Sequence, residues 1–216
     1  MFKKVAITTI ALIMTATLSS NAQTIKLPAP QTTGGMALSE AIATRHSTRE
    51  FDPTRQLSEQ QIADLLWSGA GVNRAESGMR TNPTAMNSQE IDLYLFTSEG
   101  VYLYDAKANA IEKKADGDHR MLIAGNEQFK QDFVMDAPVA VVMVADLSRF
   151  ERKADRNASM ATLDGGIVCE NICLYCSAAG LATVPRVTMD TDGIKALLGL
   201  GEQHLVLINN PVGYAK

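Results

Sequence analysis

Two short stretches of this 216-residue chain carry side chains that can do chemistry. The first is RHSTREFDP, Arg45 to Pro53. Within five residues it offers two guanidinium forks, an imidazole and two hydroxyls: Arg45, His46, Ser47, Thr48 and Arg49. Forked, charge-assisted donors match the oxygens of a phosphate or another anion. The same composition also suits a solvated helix end. The second stretch is CENICLYC, Cys169 to Cys176, which holds all three cysteines at C-x3-C-x2-C spacing. Thiolates converging on one point hold an iron–sulfur cluster. Here, however, Cys169, Ile172, Cys173, Cys176 and Ala179 recur at the spacing of one helix face. Three readings compete: core packing as small hydrophobes, a metal or cluster site, and a redox or intermolecular pair. A disulfide within one helix has poor geometry, and the helical face favours packing.

The elements that must position these residues follow from pattern. Lys3 and Lys4, the apolar run Val5 to Leu18, and small residues at Ser20 and Ala22 read as a signal peptide of residues 1–22, cut after Ala22. The run is short for a membrane span, and no later run is long and apolar enough for one. Export to the periplasm follows as the expectation. Cleavage removes two lysines and no acids, so the net charge falls from −4 to −6. A mildly acidic product gives no reason to expect nucleic acid as partner. With 46% apolar residues, disorder and fibrous classes are excluded as well.

Residues 23–36, with two prolines and adjacent glycines, read as an extended N-terminal arm. A single domain over 37–216 follows. Ala37 to Thr44 reads as a short helix. A second helix begins at a capping box made by Ser58 and Gln61, with Ile62, Leu65 and Leu66 on its apolar stripe. RTNPTAMNSQ is a polar loop. Two strands follow around a Ser-Glu-Gly turn in IDLYLFTSEGVYLYD. The stretch from Ala110 to Phe133 is polar and expected to be helical in parts. APVAVVMVAD reads as a strand buried on both faces. A long helix runs from Asn157 to Ala179, a short one covers Asp190 to Leu198, and HLVLINNPVGY is a last core strand.

Four segments, in this order, resemble the nitroreductase (FMN-dependent oxidoreductase) superfamily. RHSTREFDP is similar to its N-terminal signature R-x-S-x-R/K-x-F. NPTAMNSQ is similar to its Pro-Ser/Thr-x-x-Asn-x-Gln segment. LDGGIVCENICLYCSAAGLATVP is similar to its long central helix with the Gly-Leu-Gly/Ala-x-x-Pro ending. LINNPVGY is similar to its final strand ending in Gly-Tyr. Together they span essentially all of residues 37–214.

The resemblance implies an α+β fold with a central mixed sheet, flanking helices and a long helix at a homodimer interface, with FMN held between the two subunits. Arg45, His46 and Ser47 match positions that hold the phosphate and ribityl chain. Arg49 matches a cation near the pyrimidine edge of the flavin, where a fixed positive charge favours reduction. Asn87 matches a side chain at the flavin rim. Pro83, Thr84 and Ala85 match a backbone wall supplied by the partner subunit. Pro185 and the backbone N–H near Val187 match the segment over N5. Arg186 is open between phosphate contact, substrate steering and solvation. Family members usually add basic residues after the final Gly-Tyr, and Lys216 is the one candidate here.

The implied activity is ping-pong hydride transfer through flavin N5 to a small-molecule acceptor such as a nitroaromatic or quinone, with no protein general base demanded. NAD(P)H is one candidate donor, although nicotinamides are scarce outside the cytoplasm. The alternatives are a flavin-binding or ligand-storage protein with little or no turnover, and an iron–sulfur enzyme suggested only by the cysteine spacing.

Overall fold

The computed structural model describes residues 23–126 and 128–216. The expected leader, residues 1–22, lies outside them. Along the chain, β1 (Thr24–Lys26) precedes α1 (Leu38–Thr44) and α2 (Glu59–Ala70). A small hairpin, β2 (Val72–Arg74) and β3 (Met79–Arg80), is followed by β4 (Ile91–Thr97), β5 (Gly100–Asp105) and β6 (Ala110–Asp116). Then come α3 (Met121–Ala124), β7 (Val139–Asp146), α4 (Asn157–Ala178), β8 (Ala182–Thr183), α5 (Thr191–Leu198) and β9 (His204–Gly213).

Local chemistry explains where several of these begin. The capping box at α2 is present: Ser58 Oγ accepts from Gln61 N at 3.2 Å, and Gln61 Oε1 accepts from Ser58 N at 2.9 Å. Two of the four otherwise orphaned N–H groups at that helix end are thereby satisfied. The Asp190 carboxylate caps α5 by accepting from Gly193 N at 2.9 Å.

Seven strands form one sheet in the order β1-β6-β5-β4-β7-β9-β8. The expected α+β arrangement is present, but each pairing is antiparallel where a mixed sheet was expected. Hairpin connections link β4, β5 and β6, and the long return through α4 brings β9 back antiparallel to β7. β7 is the pivot. Val139, Val141, Met143 and Ala145 face the core shared with α2 and α4. Ala140, Val142 and Val144 face a second core closed by α3 and α5. Fully burying side chains of this kind contributes roughly 1.5–3 kcal/mol each, which fixes this strand in the centre.

One stretch departs from its pattern. The stretch from Ala110 to Phe133 is helical in parts as expected, at α3 and in a 3-10 turn beginning at Asp132, but its first part, residues 110–116, is a strand. Ala110 and Ile111 are buried, and the segment pairs with β5 on one side and β1 on the other. The non-local ladder outweighs the local sequence preference. The extended arm likewise becomes structure where β1 joins this edge.

Candidate functional site

The RHSTREF loop hangs between two anchors. At its start, Thr44 Oγ1 donates back to Glu40 O at 2.8 Å and meets Ser177 Oγ of α4 at 2.9 Å. At its end, Phe51 is wholly buried and lies 6.3 Å from the Phe133 ring. In between, Thr48 N donates to Thr183 O on β8 at 2.9 Å. The Gly-Tyr end of β9 packs beneath. A Cβ on Gly213 would meet Pro138 at 2.7 Å and Phe51 at 3.2 Å, so a side chain there would push the loop away. Tyr214 exchanges hydrogen bonds with the Gln61 amide, and Arg55 stacks 3.4 Å above its ring.

This anchoring leaves His46, Ser47 and Arg49 exposed and Arg45 half-buried. His46 Nδ1 lies 2.8 Å from Thr44 O, so it donates in the tautomer protonated there. Among the described residues, neither Arg45 nor Arg49 forms an ion pair. A cleft of about 260 Å³ opens beside the loop, lined by His46, Thr48, Cys173, Ser177, Thr183 and Ala215 among others.

Arg186 has a different place from any expected for it. Its side chain turns inward and is 6% exposed. Nε donates to Gln131 Oε1 at 2.8 Å, and Nη1 donates to Ile123 O at 3.0 Å and Asn209 Oδ1 at 2.9 Å. Nη2 reaches Ala124 O at 3.4 Å, and the guanidinium lies 5.3 Å over the Phe133 ring. With its donors committed to its own chain, this side chain cannot also serve a phosphate. It ties α3 to β9. Burial, and then the charge of Arg49, push its pKa down to about 10, so it stays a cation at neutral pH. The charge of Arg49 is thus felt at Arg186. Pro185 and Val187 flank Arg186 and are both exposed, Val187 at 72%.

Lys216 is brought to the loop by its backbone N–H, which donates to Glu50 O at 3.2 Å. Its ammonium, however, lies 3.7 Å from Asp136 Oδ2. Arg45 and Arg49, by contrast, have no ion-pair partner among the described residues.

Pro83, Thr84, Ala85 and Asn87 lie on a tight turn with 3-10 geometry over Ala85–Asn87. Met86, Asn87 and Gln89 all have positive φ, at 56°, 54° and 49°, a region costly for most side chains and mild for Asn. Ala85 N donates to Asp164 Oδ2 on α4 at 2.7 Å. Ser88 Oγ bonds Ala85 O at 2.8 Å and Glu90 Oε2 at 2.6 Å.

The structure does not bring this turn to the RHSTREF loop within one chain. The turn meets α4 at Asp164, and the loop meets it at Ser177. Thirteen residues at 1.5 Å per residue put these points about 20 Å apart. On the outward side of α4, Leu163 just before the first of these points and Ile167 between them are exposed at 71% and 38%, and the exposed Glu170 follows. Leu38 and Ile42 of α1 are exposed as well.

The cysteines are packing residues of α4. Cys169, Cys173 and Cys176 are buried by their own chain at 4%, 1% and 0% exposure. Asn210 of β9 accepts from Cys169 Sγ at 3.1 Å and donates to Cys173 Sγ at 3.5 Å. Hydrogen bonding with Cys173 and burial push the Cys169 thiol up, and burial pushes Cys176 up. Their face meets the chain's own sheet, not a second subunit, which removes the geometry for an intersubunit disulfide.

The model of the Nitroreductase family matches residues 42–214. The chain belongs to the nitroreductase family. A solved structure from Ralstonia eutropha JMP134, described as a nitroreductase, is 34% identical over 89% of this chain and 90% of its own, with a TM-score of 0.81. More distant structures share the fold. A nitroreductase family protein from Clostridium difficile 630 is 18% identical, with a TM-score of 0.59 over 84% of this chain and 86% of its own. A chain in the E. coli microcin synthetase McbBCD complex is 17% identical, with a TM-score of 0.67 over 97% and 85%. A comparison with curated proteins returns no match. Membership of the nitroreductase family makes the chain a flavin-type oxidoreductase in its general character.

Within this nitroreductase, several structural polar residues were not anticipated. Asn209 and Asn210 are wholly buried and bind Arg186 and the cysteine face. Glu90 and Asp164 are buried against the 84–89 turn. The available signal was polarity in an apolar setting: two asparagines inside a core strand, Glu90 just before the strand IDLYLF, and Asp164 in TLDGGIVC.

Proposed function

We propose that the chain is an FMN-dependent oxidoreductase that acts as a homodimer, each cofactor held by the RHSTREF loop of one subunit and the 83–87 turn of the other. One observation carries this reading. The two halves of the expected site sit about 20 Å apart along α4, and exposed apolar side chains occur on α4 (Leu163, Ile167) and on α1 (Leu38, Ile42), which packs against it. A two-fold axis across that face would set the loop of one chain opposite the turn of its partner.

The donor set suits the cofactor. Arg45 and Arg49 are cations without carboxylate partners among the described residues, and the Ser47 hydroxyl adds a neutral donor beside them, with the His46 ring at the edge of the loop. Such donors bind a phosphate through charge-assisted hydrogen bonds of about 1.5–3 kcal/mol each. Arg49, backed by the buried charge of Arg186, is the cation for the electron-rich edge of the isoalloxazine. Pro185 and Val187 project beside it and shield the ring from water. Asn87, held with positive φ, offers an amide at the rim. FMN, when bound, supplies the redox chemistry by accepting a hydride at N5 and passing reducing equivalents to an acceptor. The protein's part is position and electrostatics.

Nitroaromatics, quinones and comparable small acceptors are the substrate class that fits an open slot of this kind. The leader pattern supports export to the periplasm. There the electron donor is either NAD(P)H or a substitute such as a quinol or a protein. Among the described residues no helix is long and apolar enough to cross a membrane.

The test is anaerobic reduction of the purified protein with NADH, NADPH and dithionite, followed by a panel of acceptors. Bound flavin that a donor reduces and an acceptor reoxidises is the expected result. Flavin that binds but is turned over by no donor–acceptor pair would point instead to a storage protein of the same fold.

A further inference from the structure

The 84–89 turn is held in a disfavoured shape by two buried acids. Glu90 is 0% exposed and Asp164 is 7% exposed. Asp164 Oδ2 takes the N–H of Ala85 at one end of the turn, and Glu90 Oε2 takes the hydroxyl of Ser88 at the other. The same Ser88 hydroxyl lies 2.8 Å from Ala85 O, so its one proton is shared between the two acceptors, and Gln89 N donates to Thr84 Oγ1 at 2.9 Å. Both acids are thus buried against the same turn, bracketing Ala85 and Ser88, and the charge of Asp164 is felt at Glu90. Yet Glu90 Oε1 is buried with no donor among the described residues, and neither acid has an ion-pair partner there.

Two carboxylates close together away from water do not both stay charged. A proton on Oε1 removes both difficulties. It gives the orphaned oxygen a role as donor, and it replaces repulsion by a hydrogen bond to Asp164. We propose that Glu90 and Asp164 share one proton across a carboxyl–carboxylate hydrogen bond, and that this pair is the latch that holds Asn87 and the Pro83–Ala85 wall in place. The two acids are positioning residues. What the turn faces rests on the flavin reading; the pair itself does not.

The charge of Glu90 is also felt at Arg80 of β3, whose Nη1 donates to Ile91 O at 2.9 Å. Arg149 and Asp92 pair with each other beyond it, and Arg149 Nη1 also takes Gln89 O at 2.9 Å. Burial, opposed by the Ser88 hydrogen bond and reinforced by Asp164, pushes the Glu90 carboxyl above its ordinary range. The folded chain therefore keeps a proton that the unfolded chain has released. Stability from the latch is present below the ordinary glutamate pKa and is lost as pH rises through the raised one.

The experiment follows two readouts from mildly acid to alkaline pH in the wild type, E90Q and D164A. They are the thermal midpoint of the FMN-free protein and the FMN dissociation constant from fluorescence quenching. Glutamine keeps the shape and supplies a permanent N–H donor to Asp164. E90Q is therefore expected to bind FMN within about twofold of wild type at low pH and to lose the part of both pH profiles that the latch contributes. D164A is expected to bind FMN roughly tenfold more weakly at every pH. An E90Q profile that tracks wild type across the range overturns the proposal, as does a D164A protein that binds FMN like wild type. If D164A fails to fold, E90Q decides. If the wild type takes up no FMN, the flavin reading has failed, and the FMN-free midpoints of wild type and E90Q still decide whether the pair exists.

Discussion

The hydroxyl of Thr44 meets that of Ser177 at 2.9 Å, and this contact fixes where the cation-bearing loop leaves α1. Arg45 is the next residue, so its guanidinium starts from a point held against the C-terminal end of α4. Arg45→Ala should weaken FMN binding by about 1.5–3 kcal/mol, the range for hydrogen bonds to charged groups. A fluorescence-quenching titration reads this directly, and unchanged affinity would remove Arg45 from the phosphate site.

Arg49 has no ion-pair partner among the described residues, and its charge is felt at Arg186. It should act more on the redox balance than on affinity, because charge on the flavin grows as it is reduced. Arg49→Ala should lower the two-electron midpoint potential by about 30 mV or more, equivalent to about 1.4 kcal/mol. Spectroelectrochemical titration of the bound flavin is the measurement. A potential equal to wild type would place Arg49 away from the ring.

The separation of the two half-sites along α4 makes a prediction about mixed dimers. Arg45→Ala and Asn87→Ala proteins should each bind FMN weakly at both sites. A dimer with one chain of each kind contains one site carrying both defects and one carrying neither. Mixing and exchanging the two variants should therefore restore tight binding at one of the two sites in each mixed dimer. No recovery after verified subunit exchange would mean that Arg45 and Asn87 serve the cofactor from the same chain, or not at all.

Arg186 is a structural cation. Replacing it with methionine keeps most of the volume but leaves Ile123 O, Ala124 O, Gln131 and Asn209 without their shared donor. The expected loss is at least about 3 kcal/mol of folding stability, since several hydrogen bonds to a charged group go at about 1.5–3 kcal/mol each. Denaturant unfolding tests it. A near-neutral result accompanied by loss of FMN would return Arg186 to the binding site.

Cys173→Ala should cost about 1–2 kcal/mol through the removed sulfur and the space it leaves, with flavin content unchanged. A non-reducing gel should show a single-chain band, because all three thiols are buried by their own chain. A disulfide-linked dimer band would contradict that placement.

Much of this architecture was legible because local and global signals agree. Ser58 and Gln61 announce α2, the unbroken apolar run announces β7, and the i, i+3, i+4 recurrence around the cysteines announces α4. The order of the four motifs located the loop and the turn. What was not legible depends on distant partners. Residues 110–116 look polar, and β5 and β1 on either side make them a strand. Arg186 reads as a surface charge until α3, Gln131 and Asn209 are folded around it. Lys216 reads as a free basic tail until Asp136 is beside it. Glu90 and Asp164 lie 74 positions apart, and nothing near either one reveals that both brace the same turn.

The most direct test of the central claim is titration of the purified protein with FMN, read by flavin absorbance and fluorescence together with sedimentation. The account predicts saturation at one FMN per chain, on a species with the mass of a dimer. A protein that stays colourless and takes up no FMN would contradict it.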